Sequence, residues 1–195
     1  MKEQAKILSL VSESGMITSK QVRDAGIHPH YLQMLVRSGK LQLVSRGIYM
    51  CSDIWEDEIF LYQQRYQRGV YSHDTALYLH NYSDRTPIKY TMTFPTNYHS
   101  SSLAAEPLII HRTLQKNYEL GLIKLRSPSG NMLKVYDLER TLCDIVRGSG
   151  CDIQIITDAM KRYAASQNKD IHKLIQYAEQ LRVKPKILRY MEVLL

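Results

Sequence analysis

Cysteine is scarce in this chain. Cys51, Cys143 and Cys151 are odd in number and lack Cys-x-x-Cys spacing, which argues against both a disulfide framework and a zinc knuckle. A reducing cytoplasm is the expected setting. No uninterrupted apolar run approaches the ~18 residues that a membrane span requires. The opening stretch MKEQAKILSLVSESG carries charges where a signal peptide needs an apolar centre, and it has no small-residue cleavage site, so no secretory leader is expected. Phenylalanine and tryptophan are nearly absent, with two Phe and one Trp against fourteen Tyr. Rings with a polar tip suit the edges of elements, where one end is buried and the other is wet.

The patterns that carry catalysis are missing as well. There is no Walker loop and no Gly-x-Ser-x-Gly elbow. A nucleotidyltransferase needs Gly-Ser followed by two carboxylates one residue apart to hold metal ions. Gly148-Ser149 precedes Asp158, but residue 160 is Met, so the metal-binding pair is incomplete. A restriction-type nuclease needs a strand carboxylate and a Glu-x-Lys or Asp-x-Lys; Asn168-Lys169-Asp170 has the wrong order. The seven histidines lack metal spacing: His28 and His30 diverge across a helix start, and His73 and His80 share a face only on one continuous helix. No enzymatic activity, metal or cofactor is expected.

The most informative stretch is residues 16–50, MITSKQVRDAGIHPHYLQMLVRSGKLQLVSRGIYM. Thr18 and Ser19 offer side-chain oxygens at a helix start, Val22 and Ala25 face one side, and Gly26 ends the helix. Pro29 suits the first turn of the next helix, predicted over 29–38. Leu32, Leu35 and Val36 form its buried stripe, while His30, Gln33, Met34 and Arg37 lie opposite. Gly39 stops it. Leu41–Val44 and Ile48–Met50 then read as strands joined through Ser45-Arg46-Gly47, with a cation at the tip. Residues 2–13 complete a three-helix core, with Ala5, Leu8 and Val11 inward. Two short helices and a hairpin are the layout of a winged helix-turn-helix, which places one helix in the major groove. Any small helical domain with a protein-binding hairpin is the competing reading.

Charge agrees with the first of these. The net charge is +7 at pH 7, and it is uneven. Residues 1–50 hold seven Lys/Arg against three Asp/Glu, residues 51–150 eleven of each, and residues 151–195 eight against five. The surplus therefore lies at the two ends of the chain, where long-range attraction to phosphate would originate.

Beyond the hairpin, Asp53-Ile54-Trp55 leads into a helix over about 56–67 with Ile59, Tyr62 and Tyr66 on one face, closed by Gly69. A short helix from Ser72 or His73 carries Ala76, Leu77 and Leu79. Residues 88–94 alternate, with Ile88, Tyr90, Met92 and Phe94 on one face and Lys89, Thr91 and Thr93 on the other, which predicts a half-buried strand stopped by Pro95. Leu108–Thr113 is a second strand. Leu122–Arg126 and Met132–Tyr136 flank Ser-Pro-Ser-Gly-Asn as a hairpin, so the middle of the chain is expected to be a small antiparallel sheet. Asp137 caps a helix with Leu138, Leu142, Ile145 and Val146 inward, Glu139 in its first turn and Arg147 in its last, so its charges complement the helix dipole. Further helices start at Asp152 (Ile153, Ile156, Met160 inward), at Asp170 (Ile171, Leu174, Ile175, Ala178, Leu181) and at Pro185 (Leu188, Met191, Leu195). The predicted class is α+β: a winged helix-turn-helix with connecting helices over 1–85, then a C-terminal domain over 86–195 in which helices pack a small antiparallel sheet.

Three segments carry a family resemblance in the right order along the chain. They are Val44-Ser-Arg-Gly-Ile-Tyr49, Tyr90-Thr-Met-Thr-Phe-Pro95 and Tyr136-Asp-Leu-Glu-Arg-Thr-Leu-Cys-Asp144. With them the chain resembles AbiEi-type antitoxins, the transcriptional-regulator half of type IV toxin–antitoxin systems of phage abortive infection. The resemblance implies a DNA-binding autorepressor acting at promoter inverted repeats. It also implies a C-terminal domain that counters a nucleotidyltransferase-like toxin without a stable complex. Two copies on one inverted repeat are required, and they need associate only on the DNA.

On this reading Gln33 or Arg37 pairs with bases, His30 shares their face, and Ser19, Lys20, Arg23, Lys40 and Arg46 hold phosphates and set register. Arg112, Lys124, Arg126, Lys134, Arg162 and Lys173 form either an antitoxic or nucleic-acid surface or merely a solvated one. The segment Asp137–Asp144 reads more simply as a capped helix than as a polar site. A sensor or protein-interaction module, whose C-terminal domain binds a small ligand, stays open as the alternative, although no convergent polar pocket is legible.

Overall fold

The computed structural model describes residues 2–51, 57–101, 103, 106–148 and 151–194. The predicted lead-in Asp53–Trp55, Ser149 of the Gly-Ser pair and Leu195 lie outside the described residues. The chain divides into two compact units, Met1–Gln67 and Arg68–Leu195. The dividing point lies ahead of the expected one near residue 85: Val70–Tyr71 is a strand of the second unit's sheet, and the helix after it belongs to the same unit.

The first unit runs α1 (Lys2–Ser14), β1 (Met16–Thr18), α2 (Ser19–Asp24), α3 (His30–Arg37), β2 (Leu41–Ser45), β3 (Ile48–Cys51) and α4 (Glu58–Arg65). Its three strands form an antiparallel sheet in the order β1-β3-β2. Strand β1 was not anticipated; Met16, Ile17 and Thr18 pair with Met50, Tyr49 and Ile48. Thr18 then caps α2. Its hydroxyl accepts from Gln21 N at 3.1 Å while Gln21 Oε1 accepts from Thr18 N at 2.8 Å, a reciprocal capping box. Ile7, Val22, Leu32 and Leu35 are wholly buried and gather with Val11, Ile17, Ile27 and Leu41 into one core. Within α1, Ile7 and Val11 face inward, Leu8 is half-buried and Ala5 is exposed, which turns the helix relative to the expected stripe. Ile7 is the longer apolar side chain and fills the core in place of Ala5.

The second unit holds β4 (Val70–Tyr71), α5 (His73–Leu79), β5 (Tyr90–Pro95), β6 (Leu108–Thr113), α6 (Gln115–Tyr118), β7 (Leu122–Arg126), β8 (Met132–Tyr136) and the helices α7 (Leu138–Arg147), α8 (Ile153–Ala165), α9 (Ile171–Gln180) and α10 (Lys184–Leu194). The strand order is β6-β5-β4-β8-β7. The hairpin β7–β8 and the pair β4–β5 are antiparallel, as expected for this sheet. The pairs β5–β6 and β4–β8 are parallel, so the sheet is mixed. The reason is connectivity: β5 reaches β6 through residues 96–107, long enough to return the chain to the same end of the sheet.

Central placement changes the burial of β5. Thr91 and Thr93, expected on an open face, are buried. Thr91 Oγ1 donates to Asp74 Oδ1 at 2.6 Å, and Thr93 Oγ1 donates to Ser72 Oγ at 2.8 Å. Ile88, expected inward, precedes the strand and is fully exposed. In the helical layer, Ile153 is likewise exposed at the start of α8, whereas Ile156 and Met160 enter the core with Leu142, Tyr163, Leu174 and Ala178.

Helix α7 is buried over Glu139–Val146 despite the charged residues Asp137, Glu139, Arg140, Asp144 and Arg147 in and before it. Dipole complementarity explains only its ends. Arg140, 1% exposed, donates from Nε to Asp144 Oδ2 at 3.0 Å and from Nη1 to the carbonyls of Asn117 (2.6 Å) and Leu120 (3.0 Å). Its guanidinium lies 4.2 Å from the centre of the Tyr136 ring. Lys173 of α9 bridges Asp137 (2.9 Å) and Glu139 (3.0 Å), and Tyr163 OH donates to Glu139 at 3.1 Å. Burial pushes the Asp144 carboxyl above its ordinary range, against the pull of Arg140. Gly121 closes this network: its φ is +72°, and a Cβ added there would meet Arg140 Cβ at 2.7 Å, so no side chain fits.

Candidate nucleic-acid interface

Helix α3 presents two chemically distinct faces. Leu32 and Leu35 are wholly buried and Val36 partly so, while His30, Gln33, Met34 and Arg37 are exposed. This is the division that the i, i+3, i+4 spacing predicts. The turn before α3 is compact: Ile27 N donates to Val22 O at 3.0 Å, and His30 N donates to His28 Nδ1 at 3.2 Å. Lys6 Nζ donates to the Ala25 carbonyl at 3.2 Å and so ties α1 to the end of α2. The exposed Met34 sulfur accepts from Gln4 Nε2 at 3.7 Å.

The hairpin is fixed at both ends. Its tip uses Gly47 at φ +78°, a left-handed conformation that glycine adopts without strain. The register shifts between Leu43 and Ser45, so the loop leaves the ladder through a bulge. The Gly47 carbonyl accepts from Ser19 N at 2.8 Å. That bond places the Arg46-Gly47 tip at the first residue of α2, beside Ser19 and Lys20. Further back, Arg65 Nε of α4 donates to Ser45 Oγ at 3.0 Å. Arg46, Lys20, Arg23, Lys40 and Arg37 are all exposed, and none has a carboxylate partner among the described residues. Ser19 is half-buried against the tip. The two groups that the sequence singles out, the α3 face and the basic loop tip, thus stand on one compact unit.

The six basic residues proposed in the C-terminal half do not form one surface. Lys124 and Lys134 are opposite partners across β7–β8, and Arg126 lies two residues on from Lys124, so these three share a face of the sheet edge. Arg126 also donates to Gly130 O at 2.9 Å. Arg162 is taken up by Asp84, whose carboxyl that contact holds below its ordinary range. Lys173 is committed to Asp137 and Glu139. Arg112 donates to the Tyr98 carbonyl at 2.6 Å. The two ion pairs were not legible, since Asp84 and Arg162 lie far apart in sequence and nothing local marks them as partners.

Among the described residues, no group of three or more His, Cys, Asp or Glu is placed to hold a metal ion. No helix among them is long and apolar enough to cross a membrane.

Comparison with known proteins agrees with this geometry. No curated protein matches the chain significantly in sequence. Across nearly the whole length, the fold is similar to the crystal structure of RV2827C protein from Mycobacterium tuberculosis. The TM-score is 0.52 and the identity 13%, covering 98% of this chain and 81% of that one. At that identity the likeness is one of fold. The family model described as transcriptional regulator, AbiEi antitoxin, matches residues 5–50, the span from α1 to the end of the hairpin. That match, over the segment that carries both the exposed helix face and the basic tip, supports an AbiEi-type regulator.

Proposed function

We propose that the chain is a DNA-binding autorepressor and the antitoxin of a type IV toxin–antitoxin system in phage abortive infection, working in the cytoplasm. The first unit acts as a winged helix-turn-helix. Helix α3 enters the major groove of an inverted repeat in its own promoter, with Gln33 or Arg37 reading base edges and His30 beside them. Arg46 at the hairpin tip, with Ser19, Lys20, Arg23 and Lys40, holds phosphates and sets the register. The observation that carries this reading is the Ser19 N–Gly47 O bond, which fixes the basic tip against the helix pair. A floating loop would lose entropy on docking, whereas a fixed one is preorganised.

The C-terminal unit, on the same reading, counters a nucleotidyltransferase-like toxin without a stable complex. Lys124 and Arg126, exposed on strand β7, with Lys134 across the hairpin from Lys124, form the basic surface of this reading. The reading is tested by a gel-shift titration of the purified chain against its own upstream intergenic fragment. Binding by wild type, lost for a fragment with one scrambled repeat, is expected. Equal affinity for any duplex of the same length would refute sequence-specific repression. Co-expression with the adjacent toxin gene tests the second half: rescue that persists for Lys124→Ala/Arg126→Ala/Lys134→Ala removes that surface from the account.

A further inference from the structure

A cavity of about 260 Å3 opens in the second unit where α5, β5, β6 and α7 meet, and its lining is polar. Thr93 and His111 are parallel-strand partners and Thr113 lies two residues on, so all three point to one face of the sheet. The Thr113 hydroxyl is buried and has no hydrogen-bond partner, the one such side-chain atom among the described residues. A buried hydroxyl left without a partner is unusual and points to an occupant. Thr93 already donates to Ser72, which leaves its oxygen free only to accept.

Two imidazoles form the next wall. His73 and His111 stack with centroids 3.8 Å apart and planes 16° from parallel. Burial, then His111, Arg140 and Arg147, hold His73 down at about 3, and burial lowers His111 too. Both rings are therefore neutral near pH 7, and each keeps one N–H to donate. His73 Nδ1 lies 3.0 Å from Ser72 Oγ. The last wall carries Arg140, Asp144 and Arg147. Arg140 is spent on Asp144 and two carbonyls, whereas Arg147 at the end of α7 is exposed and has no ion-pair partner among the described residues. Arg112 has the opposite strand parity and sends its guanidinium to Tyr98.

We propose that this cavity binds the phosphate group of a small phosphorylated ligand through Arg147, the Thr113 hydroxyl and the stacked His73–His111 pair. Donors of three kinds converge there from different elements. That arrangement suits the oxygens of a tetrahedral dianion better than the two coplanar ones of a carboxylate. The volume falls below the roughly 300–1,000 Å3 usual for drug-sized ligands, so the occupant is free phosphate or a compact phosphate monoester. A dianion would also offset Arg140 and Arg147 beside His73 and draw its protonation upward.

The test is an NMR titration of the full chain with inorganic phosphate, glycerol 3-phosphate and acetate in turn, at matched ionic strength. Saturable shifts of the His73 and His111 ring nitrogens with either phosphate probe are expected. Tighter binding of glycerol 3-phosphate assigns a monoester, and tighter binding of inorganic phosphate assigns the free ion. Arg147→Gln, at an exposed position that leaves the core untouched, should abolish the response. Thr113→Val should weaken it at least about tenfold, the loss of one hydrogen bond to a charged group. Acetate binding as tightly as phosphate, unmoved histidine signals, or unchanged affinity in both variants would overturn the proposal. Duplex binding by the first unit is measured separately, so failure here is distinct from failure of the repressor reading.

Discussion

Replacing Arg140 by Met should destabilise the second unit more than any single surface change. The side chain is 1% exposed and Asp144 4% exposed, so removing the guanidinium strands a carboxylate in the interior. Breaking a buried pair from one side costs about 3–5 kcal/mol. At about 4 °C per kcal/mol for a unit of this size, the melting temperature falls by roughly 12–20 °C. The Asn117 and Leu120 carbonyls and the Tyr136 ring lose their partner as well, which places the effect toward the upper end. The double variant Arg140→Met/Asp144→Leu removes the stranded charge and should recover at least about 2 kcal/mol. The pH dependence has a definite sign. Burial already raises the Asp144 carboxyl, and loss of Arg140 removes the main opposing influence. A carboxyl raised in the folded state binds its proton more readily there than in the unfolded chain, so stability is lost as pH rises through the folded value. The deficit of Arg140→Met should therefore be smaller near about pH 5 than near about pH 8. Calorimetry on the three proteins at both values is the assay. A single-variant loss below about 1 kcal/mol, or a double variant no better than the single one, would refute the assignment of a buried, mutually dependent pair.

Four further outcomes follow from the geometry. Arg46→Ala should weaken binding to every duplex and reduce the slope of log K against log salt by about 1, read by anisotropy across a salt series. Arg37→Ala should cost about 1–3 kcal/mol at one operator position and leave other positions unaffected, as a base-by-base substitution panel would report. Thr18→Ala removes the capping box of α2 and should cost about 0.5–2 kcal/mol in urea denaturation of the first unit, with operator affinity falling in parallel if α2 frays. Gly121→Ala forces a Cβ into Arg140 and Asp137 at a positive φ, so it should lower the stability of the second unit by more than about 1 kcal/mol in urea denaturation.

The first unit was readable because its signals are local. The glycines after α2 and α3, the i, i+3, i+4 stripe of α3 and the Ser-Arg-Gly turn each depend on neighbours a few residues away. Strand β1 escaped because three residues carry no period. Strand β4, two residues long, sits at the centre of the five-stranded sheet for reasons that lie wholly in its partners. The alternation in residues 88–94 gave the right strand but the wrong partition of faces. A central strand buries both sides, and its threonines are satisfied by Asp74 and Ser72 rather than by water. The parallel pairings were hidden for the same reason, since connection length alone does not say which edge a strand joins. Charge was the least legible feature. Asp137, Glu139, Arg140 and Asp144 look like dipole decoration on a wheel, yet their partners Lys173, Tyr163, Asn117 and Leu120 are supplied from elsewhere in the chain. The stacked histidines were missed likewise, since His73 and His111 meet only when α5 lies against β6.

The most direct test of the account is the ratio of affinities for the chain's own upstream repeat and for a scrambled duplex, measured by anisotropy at fixed, near-physiological salt. A tenfold or greater preference that shrinks by about 1–3 kcal/mol in Arg37→Ala while non-specific affinity persists is the predicted result. A ratio near one, or a preference that survives loss of Arg37 and Gln33 together, would contradict the placement of α3 in the groove.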